Sequence, residues 1–174
     1  MSLPPAFHKD GSLNVMVESP RGSSLKLKYD LDQGLMTLSR PLPAGLVYPC
    51  DWGFISSTRA ADGDPLDAWI AWEQSSYPGM VVPCRLLGML KVEQKNLEHG
   101  GRERNDRLAV LPMKAPRLEH LRSVFDLAER LRAEIEQFFL HAVAFEGKEL
   151  KLLGWEGPAE AEAVVREAVQ RFRG

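Results

Sequence analysis

The sequence predicts an α+β domain in which a small barrel or sheet carries the functional site and helices follow it. Three observations point there. Residues 25–32, "LKLKYDLD", alternate apolar and charged side chains, the period of a half-buried strand. "SVFDLAERLRAEIEQFFLHAV" repeats its apolar residues at a spacing of three to four, the stripe of an amphipathic helix. Strand-like segments fill the first two-thirds of the chain and helical ones the last third, which segregates the two classes rather than alternating them. The 174 residues contain no repeat and no Pro/Gly/Ser linker, so a single domain over 1–174 is expected, long enough to bury a real core.

Taken in order, the first strand places Leu25, Leu27, Tyr29 and Leu31 on one face and Lys26, Lys28, Asp30 and Asp32 on the other. "DQG" is a turn signal and "LMTLSR" the returning strand of a hairpin, with Met36, Leu38 and Arg40 on one side by alternation. "RPLPAGLVYPCDWGFI" reads as an ordered loop packed onto the barrel or sheet through Tyr48, Trp52 and Phe54. "DAWIAW", "VVPCRLLGMLKV" and "RLAVLP" read as further strands, and the polar "EQKNLEHGGRERND" as a loop between the last two. Ser123 and Asp126 have the spacing of a helix N-cap with an acidic residue three positions later. The helix they open would bury Val124, Leu127, Ala128, Leu131, Ile135, Phe138 and Ala142. "ELKLLGW" is a short strand, and "PAEAEAVVREAVQRF" a terminal helix with Pro158 in its first turn and Glu160 and Glu162 matched to its dipole.

A 44% hydrophobic and 26% charged composition is that of a soluble domain. The net charge is −2, and "GRERNDR" is too mixed in sign to form a basic patch, so no nucleic acid or anionic membrane is expected as partner. Cys50 and Cys84 are far apart and in no CxxC pattern, which fits buried free thiols in a reducing compartment better than a disulfide or metal pair. "MSLPPAF" lacks a basic-then-apolar signal, and no apolar run approaches the roughly 20 residues of a membrane span. A cytoplasmic protein is expected.

"AADGDPLDAWI" holds Asp62, Asp64 and Asp67 between a polar loop and an apolar run. Ionised carboxylates this close repel one another if they share one site. Turn chemistry explains the segment, since "DG", "GD" and "DP" are all turn-forming pairs. A bound cation explains it too. Calcium in an EF-hand loop fits poorly: Leu66 stands at the fifth loop position and Asp67 where a glycine is required. An aspartyl-phosphatase DxD pair would follow an apolar strand, and here "SSTRAA" precedes it. Oxygen donors without His or Cys select Mg²⁺ or Mn²⁺, ions that bind phosphate oxygens and activate water. Lys28 and Arg40 could supply cations for an anionic substrate, or be solvated surface charges. The residues by themselves leave both readings open.

In chain order, "VESP" with Glu18, "LKYD" with Lys28 and Tyr29, Arg40, "VYPCDWGFI" with Tyr48, "DGDPLDAWI", "PCRLLGMLKV", "RLAVLP", "IEQFFLH" and "LLGWEG" resemble the soluble family I inorganic pyrophosphatases. The resemblance spans roughly 13–172, and its most specific element is D-x-D-P-x-D. It implies a closed five-stranded, OB-like β-barrel flanked by two main helices, a homo-oligomer, and Mg²⁺-dependent hydrolysis of pyrophosphate to two phosphates. Carried over by position, Asp62 and Asp67 would ligate metal and Glu18 would hold a further metal through waters. Asp64 would accept a proton from the metal-bound nucleophilic water, while Lys28, Arg40, Tyr48 and Arg107 would grip phosphate oxygens.

The departures from the family pattern fall in the site. Two family aspartates are replaced by Gln94 and Asn105, the lysine that follows the second becomes Arg107, and a Tyr-Lys pair becomes Ala142-Val143. Asp30 replaces a glutamate and Trp52 a tyrosine. Each charge-assisted hydrogen bond lost would remove about 1.5–3 kcal/mol, and about 1.4 kcal/mol is tenfold in rate. The expectation is a retained metal site with slowed pyrophosphate hydrolysis. The alternatives are a relative retuned to another phosphoanhydride and a non-catalytic oligomer that binds metal or phosphate. A side chain of Glu93 or Asp106 turned into the cavity would keep the usual catalytic route open.

Overall fold

The computed structural model describes residues 3–173, so Met1 and Ser2 of the "MSLPPAF" opening, and Gly174, lie outside the described residues. In chain order the elements are β1 (Leu13–Ser19), β2 (Leu25–Asp30), β3 (Leu35–Pro41), β4 (Asp51–Ile55), β5 (Asp67–Ile70), β6 (Val81–Lys95), β7 (Arg102–Arg104), β8 (Arg107–Pro112), α1 (Glu129–Ala142), β9 (Lys151–Glu156) and α2 (Pro158–Arg173). β1, β4, β5, β8 and β6 pair in that order, and β6 returns to β1, closing a ring of five strands. The β5–β8 pairing is parallel, and the other pairings of the ring are antiparallel. β6 is long enough to run past the ring, where its far end pairs with β7 and β9.

Two helices seal the ring. Ala161, Val165 and Ala168 of α2 pack in one cluster with Val15, Ile55, Ile70 and Val110, while Ile135, Phe138 and Phe139 of α1 pack with Trp52, Trp69 and Leu90. Ser123 forms a capping box with Asp126, as its spacing predicts, but the box closes only a one-turn 3-10 helix over Val124–Asp126. Leu127 turns extended, and α1 starts at Glu129. β1 and β4 escape a period-two reading because every residue of both is buried, leaving no polar alternation to detect. Their approach requires Gly53, where a Cβ would fall 1.8 Å from the Met16 carbonyl oxygen. Cys50 and Cys84 are free and buried. Among the described residues, no helix is long and apolar enough to cross a membrane.

The β2–β3 hairpin corrects two expectations. Among the described residues it pairs only with itself and no layer covers its outer face, and Leu25, Leu31, Leu35 and Leu38 are 41–60% exposed. A register shift sets Lys26 opposite Arg40 but Leu27 opposite Leu38. The extra residue, Ser39, is a bulge that moves Arg40 off the Met36–Leu38 side and onto the face of Lys26 and Lys28.

Candidate active site

A cavity of about 380 Å³ opens between the hairpin and the ring, lined by Glu18 of β1, Lys26 and Lys28 of β2, Asp64, Asp67 and Arg107. A second pocket of about 250 Å³ shares Asp64, Asn105 and Lys148 with it and adds Asp62, Gln94 and Glu103.

Turn chemistry builds the aspartate cluster. The Asp62 side chain accepts the Asp64 N–H at 3.2 Å, the Ala60 N–H reaches the Asp64 carbonyl at 2.7 Å, and Gly63 supplies the left-handed turn at φ +89°. Thr58 accepts the Leu66 N–H at 3.0 Å, which fixes the entry into β5 and sets Asp67 as its first residue. The alternatives of turn and site are therefore one object: the turn aims the carboxylates.

Protein cations meet two of these carboxylates. Lys28 Nζ lies 3.2 Å from Asp64, both side chains being more than half exposed. Arg107, 7% exposed, makes an ion pair with Asp67 and donates to Asn105 Oδ1 at 2.6 Å. Its guanidinium lies over the Trp52 ring, 5.2 Å from the centroid, and 5.8 Å from that of Phe139. Burial lowers its pKa to about 10, against the pull of Asp62. Burial likewise raises the Asp62 carboxyl above its ordinary value; the Asp64 N–H opposes the shift, and the charges of Asp64 and Glu103 add to it. Glu18 is 7% exposed, and its carboxyl is pushed up by burial while the Tyr29 N–H, donated at 2.8 Å, resists. That bond also ties β2 to β1, so Glu18 anchors the hairpin over the cavity.

Of the remaining predicted residues, Arg40 and Tyr48 do not line the cavity. Arg40 donates to the Ala142 carbonyl at 2.6 Å and pairs with Glu146 at 3.3 Å, which holds it at the end of α1 beside the lining residue Val143. Tyr48 is 4% exposed and stacks behind the lining residue Trp52; burial pushes its pKa to about 12.

Lys26 is a cavity residue that the sequence reading passed over. It lines the cavity and, among the described residues, makes no ion pair. Burial, then the like charges of Arg107, Lys148 and Arg40, lower its pKa to about 8. Its signal was in the alternation, which put it on one face with Lys28.

Neither acidic residue considered as a replacement turns inward. Glu93 pairs with Arg102, and Asp106 accepts the Val92 N–H at 2.9 Å and pairs with Arg104 at 2.8 Å. Glu103 does line the second pocket. The polar loop there is a hairpin in which β7 sets Glu103 opposite Gln94, whose amide donates to it at 2.9 Å.

Glu18, Asp62, Asp64 and Asp67 offer oxygen donors only, the chemistry of a hard divalent cation. Among the described residues, no three His, Cys, Asp or Glu side chains enclose an ion site unaided. The reason is visible in the pairings: Asp67 turns to Arg107 and Asp64 to Lys28.

Comparison with known proteins agrees with this arrangement. The family model described as inorganic pyrophosphatase matches residues 15–173. The chain is 35% identical to the inorganic pyrophosphatase of Synechocystis sp. over 99% of both chains, and 36% identical to that of Streptomyces coelicolor over 92% of this chain and 95% of the relative. The crystal structure of inorganic pyrophosphatase from Thermus thermophilus superposes with a TM-score of 0.89 at 35% identity, covering 99% of this chain and 98% of that one. The ring of strands, the aspartate turn and these likenesses together assign the chain to the inorganic pyrophosphatase family.

Proposed function

We propose that the chain hydrolyses inorganic pyrophosphate to two phosphates, with the Asp64 carboxylate taking the proton of the attacking water. The observation that carries this reading is the cavity itself. It sets the solvent-accessible Asp64 beside Asp67, with Lys26, Lys28 and Arg107 around it. A tetra-anionic substrate needs those cations, and a water nucleophile needs a base within hydrogen-bond reach. Phosphate oxygens compete with Asp64 for the Lys28 ammonium, so substrate binding itself frees the base. Lys26, already desolvated and with no ion pair among the described residues, grips a phosphate at little further desolvation cost. Arg107 stays with Asp67 and orients it. Val143 lines the cavity with an apolar wall that donates no hydrogen bond.

Asp62, Asp67 and Glu18 are the residues that would hold Mg²⁺, with Mn²⁺ able to replace it. When bound, such an ion neutralises phosphate charge and acidifies water. The exposed leucines of the β2–β3 hairpin are consistent with burial against another copy, supporting a homo-oligomer. The free buried thiols are consistent with a cytoplasmic location.

Phosphate release from pyrophosphate and from a nucleoside triphosphate, measured side by side with Mg²⁺ or Mn²⁺, tests the reading. Faster release from pyrophosphate is expected. Release from the triphosphate alone would replace the substrate, and no release from either would replace catalysis with binding.

A further inference from the structure

We propose that the β6–β7 hairpin builds a divalent-cation subsite beside the aspartate turn, with Glu103, the Gln94 side-chain oxygen and Asp62 as its oxygen donors. The inference deepens the reading above and rests on it, since the subsite adjoins the aspartate turn.

The argument begins at Gln94. It is 3% exposed, and its Nε2 donates to Glu103 Oε1 at 2.9 Å. A carboxylate only accepts hydrogen bonds, so the amide cannot be reversed. Its oxygen, Oε1, is then buried with no hydrogen-bond partner among the described residues. An orphaned buried acceptor keeps its desolvation penalty, a cost that a cation beside it removes. Glu103 is held equally firmly, because Asn96 donates to its other oxygen at 2.6 Å. Each carboxylate oxygen has two acceptor positions, and one donor leaves the second free. Asp62 lines the same 250 Å³ pocket and is close enough for the Glu103 charge to act on its carboxyl.

Amide and carboxylate oxygens without nitrogen or sulfur select a hard ion. Magnesium-like ions need only one or two carboxylates and keep several waters, so the site does not require three acidic side chains around one point. Two lysines line the pocket as competitors. Lys95 is drawn away to Glu149 at 3.2 Å. Lys148 makes no ion pair among the described residues, and its ammonium contends with the ion for Glu103.

The test counts Mn²⁺ bound per chain, by the electron paramagnetic resonance signal of free Mn²⁺, without substrate. Wild-type protein is expected to bind one more ion than Glu103→Gln, or to bind that ion at least tenfold more tightly, and Lys148→Met to tighten it. Gln94→Met, which removes the orphaned oxygen and keeps the volume, is expected to reproduce the loss and serves if Glu103→Gln fails to fold. Equal Mn²⁺ number and affinity in wild type and in the folded variant overturns the subsite. Phosphate release by the same preparations separates the two readings. Binding that depends on Glu103 in a chain that never releases phosphate would refute the catalytic reading alone. Release with Mn²⁺ binding indifferent to Glu103 would refute the subsite alone.

Discussion

The aspartate turn over 60–67 and the hairpin over 93–107 face the same cavities but are built on opposite principles. In the turn, backbone N–H groups set the geometry, Ala60 donating to the Asp64 carbonyl, Asp64 to the Asp62 side chain and Leu66 to the Thr58 hydroxyl, so the carboxylates stay aimed whether or not a cation is present. In the hairpin, side-chain pairs set the geometry: Glu93 with Arg102, Asp106 with Arg104, Gln94 and Asn96 with Glu103. Family membership follows the first region. The second holds Gln94 and Asn105, amides where the resemblance implies acids, and there Glu103 lines the pocket instead. A backbone frame and the charges mounted on it can thus change separately.

Several variants would break or sharpen this contrast. In the turn, Asp62→Asn is expected to cut phosphate release by about 100-fold, with the fold intact, because the site loses a charge and the turn keeps its Oδ1 acceptor. An unfolded Asp62→Asn, judged by circular dichroism, would mean that charge and frame are coupled there after all. In the hairpin region, Arg107→Met leaves the Asp67 charge without its partner in a partly buried setting; destabilisation of about 3–5 kcal/mol is expected by denaturant titration. Restoring acids with Gln94→Asp and Asn105→Asp should raise the rate of pyrophosphate hydrolysis by about tenfold, worth about 1.4 kcal/mol of barrier. No gain would show that Glu103 already serves.

The pH dependence tests Lys26. Its folded pKa of about 8 lies below the ordinary 10.5, so the charged form is present below about 8 and lost above it. Accordingly kcat/KM should fall as pH rises through about 8, and Lys26→Arg should move that alkaline limb upward. Stability has the opposite sign: between about 8 and 10.5 the unfolded chain holds this proton and the folded one does not, so the contribution of Lys26 rises with pH there. The smallest effect is expected at Tyr77→Phe, 76% exposed and outside the β2–β3 hairpin, within about 0.5 kcal/mol by thermal denaturation.

Legibility in the sequence followed the same division. Asp62, Asp64 and Asp67 were readable because a turn built from consecutive residues keeps its chemistry in one short string. α2 was readable because Pro158 and the apolar stripe are local signals. β1 and β4 were not, since complete burial erases alternation. Arg40 was assigned to the wrong hairpin face because a one-residue bulge at Ser39 leaves no mark in a pattern of period two. Glu103 was invisible for a different reason: its place in the pocket depends on pairing across β6 and β7, and "RERNDR" offers two acids, Glu103 and Asp106, with nothing local to choose between them. Lys26 was missed because the lysine preceding Tyr29 fitted the family pattern first.

The central claim is that Asp64, aimed by its turn, still removes a proton from water attacking pyrophosphate although the partner region has changed. The most direct measurement is phosphate release from pyrophosphate with Mg²⁺ by purified wild-type protein and by Asp64→Asn, whose exposed side chain can be changed without harm to the core. Release by the wild type at least about 100-fold faster than by Asp64→Asn is predicted, the usual contribution of a general base. Equal rates in the two proteins, or none in either, would contradict the account.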